Sequence, residues 1–398
     1  MVENSNSLSD VKIYRGFACP QVELDHAFLE FLVIEHAREM LRQHLASNEI
    51  RVHGQVATLS ALVQTFCPFD AVWSLAFGEF LASVWAGRST DVRHSIASLL
   101  LRLHEYGFEG DWEIDSLGPG PYRFDRWLIP PTSSLRVYAS NERVQVQFKQ
   151  ETGEWCAVTF ERAADTWLCA EATELPVIEH RGIRWHILTA ECFSSSVVAE
   201  RLLKDQAYSA LDDDYPAQSA LLETIVKAAM DVVGTGAPMY LPWISCLVRN
   251  LVPLRANRHT QNSTTAFLAP GVIALSQEHP VLMAETLVHE ATHQYFYVLS
   301  RLGPVEDGTD TNLYFSPFKN TGRPLRYIVL TYHAFGNVVL FYRGLRAQGL
   351  TAYELGRDVY LQELEGKLAI LENTLRSCRT LTPIGKALWE PIFDQLQK

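Results

Sequence analysis

The sequence lacks the features that mark several large protein classes. Its seven cysteines are scattered, odd in number and never spaced as Cys-x-x-Cys, which argues against a disulfide framework, a zinc ribbon or an iron–sulfur cluster. No apolar run approaches the length needed to cross a bilayer, so we expect no membrane-spanning segment. The first ten residues lack the basic and then apolar pattern of a signal peptide. We therefore expect a cytoplasmic protein.

The charge of the chain is also one-sided. Of its 398 residues, 46 are Asp or Glu and 34 are Lys or Arg, giving a formal net charge of −12, and no Lys/Arg-rich run offsets this excess. Such a chain is a poor partner for nucleic acid, whose phosphates need clustered cations. With 47% hydrophobic and 11% aromatic residues, the chain has ample material for a packed core of two or three structural units.

One motif carries most of the functional information. His289 and His293 lie four residues apart with Glu290 beside the first, in a run of 21 residues, 280–300, that has no Gly and no internal Pro. This run has apolar residues at helical spacing and predicts a helix on which both imidazoles share one face. A His-Glu-x-x-His helix is a typical divalent metal site. Glu285, one turn earlier, could accept a hydrogen bond from the second nitrogen of His289.

The pattern of apolar residues changes twice along the chain. Residues 24–106 read as amphipathic helices, residues 135–189 as short strands separated by Asn, Asp and Gly turns, and helices return after residue 194. The expected strands are 135–139, 143–148, 155–160, 166–170, 176–179 and 183–188. An extended stretch, 262–276, precedes the metal helix and could form the floor of a pocket.

These patterns predict an α+β fold that is mainly helical, with a central antiparallel β block and a metal site carried on helices. The expected regions are an N-terminal helical region, 1–125, an antiparallel β-rich block, 126–192, and a mainly helical catalytic region, 193–398. We find no internal repeats and no low-complexity segments.

Two histidines do not hold a catalytic metal by themselves, so a third protein ligand is needed. One candidate is His333, which lies in a predominantly apolar helical run. A buried imidazole there needs a polar or metal partner. The other is a carboxylate of the loop that contains Glu306, Asp307 and Asp310, with Glu306 the favoured residue. The sequence leaves both candidates open.

The helix of His333 offers further polar residues. Arg326 precedes His333 by seven residues and Asn337 follows it by four, so the three share one helix face. Arg323 and Arg326 lie at the start of this helix, where the dipole disfavours cations, so a separate task is expected of them. A bidentate clamp on the carboxylate of a metal-chelating ligand is such a task. The less specific interpretation is that these side chains bond to neighbouring backbone groups.

A family resemblance rests on four segments. Glu285-Thr-Leu-Val-His-Glu-x-x-His293, Leu313-Tyr-Phe-Ser-Pro-Phe318, Arg323-Pro-Leu-Arg326 and Tyr332-His-Ala-Phe335 resemble those of the bacterial HExxH-motif proteins described as 2-oxoglutarate-dependent peptide β-hydroxylases. Those proteins are associated with ribosomally made, post-translationally modified peptides. The resemblance is best over residues 251–342, and the N-terminal half matches only in its general layout.

The resemblance implies iron(II) as the metal, with His289 and His293 as ligands, and 2-oxoglutarate and dioxygen as cosubstrates. It also implies a ribosomally made peptide as substrate, with or without a leader segment, and hydroxylation at a side-chain Cβ. Arg326 or Arg323 would bind the distal carboxylate of the cosubstrate. No His in the chain is followed two residues later by Asp or Glu, so the His-x-Asp motif of jelly-roll oxygenases is missing.

Two other functions use the same motif. In a zinc metallopeptidase, Glu290 would be the general base that deprotonates a zinc-bound water. Against this stands the absence of the Gly-x-x-His continuation of the metzincins after His293. In a noncatalytic peptide-binding protein the metal would be structural, which needs a fourth protein ligand that the sequence does not show. In the oxygenase, Glu290 would act beside the metal ligands.

Overall fold

The computed structural model describes most of the chain. The residues described are 12–45, 67–86, 89–115, 117, 120–164, 166–189, 192–193, 198–199, 202, 215–254, 262–276, 279–350 and 358–398. Their fold mixes helices with mainly antiparallel sheets, as the sequence predicts. None of the helices in these ranges is long and apolar enough to cross a membrane.

The first part of the chain is helical. A short 3-10 turn, Arg15–Phe17, precedes α1 (His26–Leu45), α2 (Phe69–Val72), α3 (Leu75–Ala86) and α4 (Ser89–Glu105). The side chain of Asp25 accepts a hydrogen bond from the backbone N–H of Phe28 at 3.0 Å and so caps the start of α1. Helices α3 and α4 pack against each other.

An antiparallel sheet of five strands follows. Its strand order is β1-β4-β5-β6-β7, from β1 (Gly110–Asp115), β4 (Ser134–Ala139), β5 (Arg143–Lys149), β6 (Trp155–Ala163) and β7 (Thr166–Leu168). The four strands predicted within residues 135–170 are confirmed to within a few residues at each end. Alternate side chains of β5 are buried, which is the period-two pattern of a sheet with one face against the core.

Smaller strands complete this region. Strands β2 (Tyr122–Phe124), β3 (Trp127–Ile129) and β8 (Thr173–Glu174) form a three-stranded antiparallel sheet. The turn between β2 and β3 places Asp125 at φ 50°. Asp and Asn tolerate this left-handed conformation better than most residues.

A second five-stranded sheet supports the metal helix. Its order is β12-β13-β11-β10-β9, from β9 (Val177–His180), β10 (Ile183–Ile187), β11 (Asn250–Pro253), β12 (Asn262–Thr264) and β13 (Val272–Ser276). Strand β11 pairs in parallel with both β10 and β13. The extended stretch predicted at 262–276 is therefore confirmed as two strands joined by a turn. Strand β11 lies in a region that the sequence predicts to be mainly helical, and β9 and β10 join its sheet across the expected boundary at residue 192.

Helices make up the rest of the described chain. They are α5 (Tyr215–Gly236), α6 (Tyr240–Leu247), α7 (Pro280–Leu299), α8 (Leu325–Ala347), α9 (Asp358–Ser377) and α10 (Pro383–Leu396). A small hairpin of β14 (Tyr314–Ser316) and β15 (Thr321–Arg323) lies between α7 and α8. Helix α7 packs against α5, α6 and α8. One continuous core of buried apolar side chains runs from Phe17 to Ile392.

Candidate metal site on helix α7

Helix α7 forms where the sequence predicts it. The side chain of His279 accepts a hydrogen bond from the backbone N–H of Val281, and Pro280 occupies the first turn, where its missing N–H costs nothing. Most of the helix is buried, because Leu287, Ala291 and Tyr295 have no exposed surface. The helix is therefore a rigid support for the two histidines.

The histidine pair has the geometry of two ligands to one metal ion. His289 Nε2 and His293 Nε2 lie 3.1 Å apart, and the two rings are nearly perpendicular, at 87°. Two nitrogens each about 2.1 Å from one metal, at an angle of about 90° to each other, would lie roughly 3.0 Å apart. Both side chains are half-buried, and His293 Nδ1 is buried without a hydrogen-bond partner. The pair therefore fits two adjacent positions of a metal ion.

Both imidazoles are neutral at physiological pH. Burial, with a smaller effect of Lys319, lowers the pKa of His289 from 6.5 to about 4. Burial and the neighbouring His289 and His333 hold the pKa of His293 well below its usual value. A neutral imidazole is the form that binds metals, so the site does not have to lose protons before it is filled.

Aromatic side chains form the walls around the pair. The ring of Phe335 on α8 lies 4.7 Å from that of His289 and stacks on Phe318 at 4.0 Å. The ring of Tyr297, one turn after His293, lies 6.3 Å from the His293 ring. Phe318 belongs to the turn of the β14–β15 hairpin, so the hairpin and α8 together form one side of the site.

Glu290 is held on the opposite flank of the motif by the second sheet. Its Oε1 accepts a hydrogen bond from Ser263 Oγ of β12 at 2.7 Å, and its Oε2 is buried without a hydrogen-bond partner. Burial raises the pKa of Glu290 to about 7, while the Ser263 bond lowers it. Glu290 can therefore gain or lose a proton near neutral pH, as a general acid or base must.

Glu285 is a structural anchor of α7. Its two carboxylate oxygens accept hydrogen bonds, each 2.6 Å long, from the hydroxyls of Tyr342 on α8 and Tyr360 on α9. Glu285 is 4% exposed, so these bonds replace most of its hydration. The carboxylate ties three helices together, a role that the sequence does not reveal because the two tyrosines are distant in the chain.

Gln294 anchors the other side of the helix. Its amide nitrogen donates to Thr265 Oγ1 and to the carbonyl of Val272, and its Oε1 accepts from the backbone N–H of Gly271 at 3.2 Å. Gly271 has φ 73°, the left-handed conformation that favours glycine. Gln294 thus fixes α7 against β13 one residue after His293.

The structure places His333 and Asn337 in the core of the protein. His333 is fully buried, and its Nε2 bonds the carbonyl oxygen of Phe17 at 2.9 Å, while Nδ1 is buried without a hydrogen-bond partner. Asn337 donates to the carbonyls of Ala18 and His333 and accepts from the Tyr240 hydroxyl.

The predicted roles of His333 as a metal ligand and of Asn337 as a cofactor-binding residue stay predictions. In the structure both side chains bond to backbone carbonyls, as in the less specific interpretation of the sequence. The acceptors are the backbone carbonyls of residues 17 and 18, which lie too far away in the sequence for these contacts to be predicted. Both side chains fasten α8 to the N-terminal 3-10 turn.

Arg323 and Arg326 both lie against the ring of Tyr327. Their guanidinium carbons lie 4.4 Å and 4.7 Å from the centre of the Tyr327 ring. Burial raises the pKa of Tyr297, and the nearby charges of Glu290 and Tyr327 raise it further. Arg326 is exposed, and no described carboxylate lies within ion-pair distance of either arginine. The two guanidinium groups therefore remain available to bind an anion.

The acidic loop has an organisation of its own. Asp307 accepts hydrogen bonds from Thr309, and Asp310 accepts from Tyr314, Asn312 and Thr380. Glu306 forms a backbone bridge with Leu381, and burial raises its pKa. Across the described ranges, no three His, Cys, Asp or Glu side chains come together in a group that could hold a metal ion. The third ligand, His333 or Glu306, therefore stays a prediction.

Comparisons with known proteins add no relative. No protein-family model matches this chain, and no curated protein matches it. The argument on function therefore depends on the residues of this chain and their geometry.

Proposed function

We propose that this protein is an iron(II)- and 2-oxoglutarate-dependent oxygenase that hydroxylates a side-chain Cβ of a ribosomally made peptide. The observation that best supports metal binding is the 3.1 Å separation of His289 Nε2 and His293 Nε2 on one face of α7. Iron, when bound there, would supply the redox chemistry that activates dioxygen. The peptide and the identity of the metal are supported by the sequence resemblance over residues 251–342.

The arginine pair supports a keto-acid cosubstrate. A carboxylate is best recognised by guanidinium groups, which can donate two parallel hydrogen bonds to it. Arg323 and Arg326 both lie against Tyr327, and Tyr327 influences Tyr297, whose ring lies 6.3 Å from that of His293. These two guanidinium groups are the proposed binding site for the distal carboxylate of the cosubstrate.

The other residues of the site shape and anchor it. Phe318 and Phe335 exclude water from the side of His289, which strengthens polar interactions inside the site. Glu285 and Gln294 hold α7 in place from two directions and so fix where the imidazoles lie. Glu290 is placed to hold a proton beside the ligands.

A zinc metallopeptidase is the second candidate, and Glu290 is the observation that favours it. A general base needs a carboxylate oxygen that is free to accept a proton, and Glu290 Oε2 is buried without a hydrogen-bond partner. The two candidates share their metal ligands and differ in metal, cosubstrate and product.

The experiment that separates the two candidates compares metals. Protein loaded anaerobically with iron(II) is expected to give a visible charge-transfer band when 2-oxoglutarate is added, because the keto acid chelates the metal. With oxygen and candidate peptides, it is expected to release succinate and to add one oxygen atom to the peptide, read by mass spectrometry. Zinc-loaded protein is the control. Peptide cleavage by the zinc form, with no band and no succinate from the iron form, would establish the peptidase instead.

A substitution tests the arginine pair. Arg326→Gln is expected to weaken 2-oxoglutarate binding by about 10- to 100-fold, because a charged hydrogen bond contributes roughly 1.5–3 kcal/mol. The bound metal should be retained, since Arg326 is exposed and is not one of the proposed metal ligands. Titration of the charge-transfer band measures the affinity. Arg346→Gln, an equal charge change near the far end of α8, is the matched control. Equal affinities in the two variants would exclude Arg326 as the clamp.

A further inference from the structure

The two sides of the histidine pair differ in chemical character. On one side, the ring of Phe335 lies 4.7 Å from that of His289 and stacks on Phe318. Lys319, which follows in the hairpin turn, is exposed. The other side begins one turn further along α7, at Tyr297, whose side chain ends in a hydroxyl. A ligand held by the pair therefore has one apolar flank, and the character of the other flank depends on Tyr297.

Tyr297 lies on the same face of α7 as the two histidines. It follows His293 by four residues, as His293 follows His289, so each is about 6 Å further along the helix axis. The rings of Tyr297 and His293 have their centres 6.3 Å apart and are inclined at only 25°. The two side chains therefore run alongside each other. The longer tyrosine side chain carries its hydroxyl to the side of the helix on which the Nε2 atoms lie.

The hydroxyl of Tyr297 is not used by the fold. Across the part of the chain that the structure describes, no hydrogen bond joins it to another residue, and the side chain is only half-buried. Neighbouring tyrosines differ in this respect. Tyr295 donates to the carbonyl of Trp243 at 3.0 Å, and Tyr342 donates to Glu285 at 2.6 Å. A hydroxyl without such a partner is available to a ligand.

The ring of Tyr297 is held in place independently of its hydroxyl. Phe267 packs edge-on against it, with ring centres 5.9 Å apart and planes at 88°. The ring of Phe296 lies 6.2 Å away at 85°. These contacts are made by the ring, so a phenylalanine at this position would keep them. The change Tyr297→Phe therefore removes the hydroxyl alone.

The hydroxyl is a hydrogen-bond donor at neutral pH. Burial raises the pKa of Tyr297, and the nearby charges of Glu290 and Tyr327 raise it further, so the phenol keeps its proton. It does not donate to Glu290, whose Oε2 is buried without a hydrogen-bond partner. A phenol donor beside a metal site suits an anionic or carbonyl oxygen of a bound ligand.

We propose that Tyr297 donates a hydrogen bond to an oxygen atom of the ligand that binds the metal at the histidine pair, and so orients that ligand. The apolar part of the ligand then lies against Phe335 and Phe318, and its oxygen lies toward Tyr297. This inference rests on the metal site of the proposed function. It applies to the oxygenase and to the peptidase alike, because an oxygen ligand binds the metal in both.

Cobalt(II) and two metal-binding probes test the role of the hydroxyl. Cobalt(II) changes its visible absorption when its ligands change, so each affinity is measured by titration without turnover. Acetohydroxamate chelates through two oxygens, whereas pyridine binds through its one nitrogen and has no acceptor left. Tyr297→Phe is expected to bind acetohydroxamate about tenfold more weakly than the wild type, because a hydrogen bond to a charged oxygen is lost. Its cobalt content and its affinity for pyridine should not change.

Two further variants serve as controls. Tyr138→Phe makes the same change at an exposed position of β4 and should bind both probes like the wild type. Tyr327→Phe removes the other nearby phenol, whose oxygen lies 3.3 Å from Arg326 Nη2, and should have a smaller effect than Tyr297→Phe. A loss of acetohydroxamate affinity in Tyr327→Phe alone would assign the donor to Tyr327 and overturn the proposal.

The remaining outcomes separate failure of this inference from failure of the metal site. Wild-type protein that takes up no cobalt would refute the histidine-pair site and the role of Tyr297 together. Cobalt-loaded wild type that does not bind millimolar acetohydroxamate, or binds it no more tightly than Tyr297→Phe does, would refute the role of Tyr297 alone. Equal weakening of acetohydroxamate and pyridine would also refute it, because the hydroxyl would then only support the shape of the site.

Discussion

Replacing His289 or His293 by alanine is expected to leave folded protein that no longer retains a divalent metal. The two Nε2 atoms lie 3.1 Å apart and together offer two ligands to one ion. With one imidazole removed, only one of these two ligands is left. Loss of an outer-shell partner alone weakens metal binding by up to about 100-fold, so loss of a ligand should exceed this. The measurement is metal content per chain after dialysis, together with any activity found with iron or zinc.

Two controls make this result specific. His26 is exposed on α1, so His26→Ala should keep its metal. His333 bonds to the carbonyl of Phe17, so His333→Gln should also keep its metal while losing stability. Full metal occupancy in either single variant of the pair would refute the site. Loss of metal in His333→Gln with native-like folding would instead support His333 as the third ligand.

The local parts of the fold could be predicted from the sequence. Helix α7 and the strands from β4 to β7 follow from residue periodicity, which depends only on which side of the element faces the core. The relation of His289 to His293 is equally local, because four residues make about one helical turn. These are the predictions that the structure confirms.

Contacts between distant segments could not be predicted in this way. His333 and Asn337 share a helix face as expected, yet that face meets the backbone at residues 17 and 18, over 300 positions away. The spacing of apolar residues along a helix shows which side chains are buried. It does not show which residues those side chains contact. Glu285 shows the same limit, because its partners Tyr342 and Tyr360 come from two later helices.

The strand that pairs in parallel was missed for a related reason. Strand β11 (Asn250–Pro253) is fully buried and only four residues long, so it has neither an alternating pattern nor enough length to be distinguished from a buried helical turn. Its position between β10 and β13 in the second sheet places β12, and hence Ser263, beside Glu290. The environment of the motif therefore depends on pairing between segments about 60 residues apart.

The protein is expected to unfold sharply in mild acid. Burial lowers the pKa of three histidines, His104, His186 and His333, from 6.5 to about 4. Below pH 6.5 the unfolded chain binds more protons than the folded one, so stability is complete above pH 6.5 and falls as the pH drops toward 4. Each histidine then costs about 2 kcal/mol by pH 5 and about 3 kcal/mol by pH 4. Three together cost about 6 kcal/mol at pH 5 and about 9 kcal/mol at pH 4, which is comparable with the lower part of the roughly 5–15 kcal/mol stability of a typical folded chain.

The clearest test of this acid sensitivity is His104, because its neighbours fix its tautomer. His104 Nδ1 lies 2.6 Å from the carbonyl oxygen of Phe108, which requires a proton on Nδ1, and Nε2 accepts from Trp112 Nε1 at 2.7 Å. A second proton on Nε2 would break the Trp112 bond and place a charge in the core. His104→Gln can keep a donor and an acceptor but does not titrate. Its urea-unfolding free energy, followed by tryptophan fluorescence from pH 7.5 to 4.5, should fall less steeply than that of the wild type, by up to about 1.4 kcal/mol per pH unit. The exposed-site variant His26→Gln should follow the wild-type curve, and a wild-type stability that stays constant down to pH 5 would show that these histidines are not held neutral by the fold.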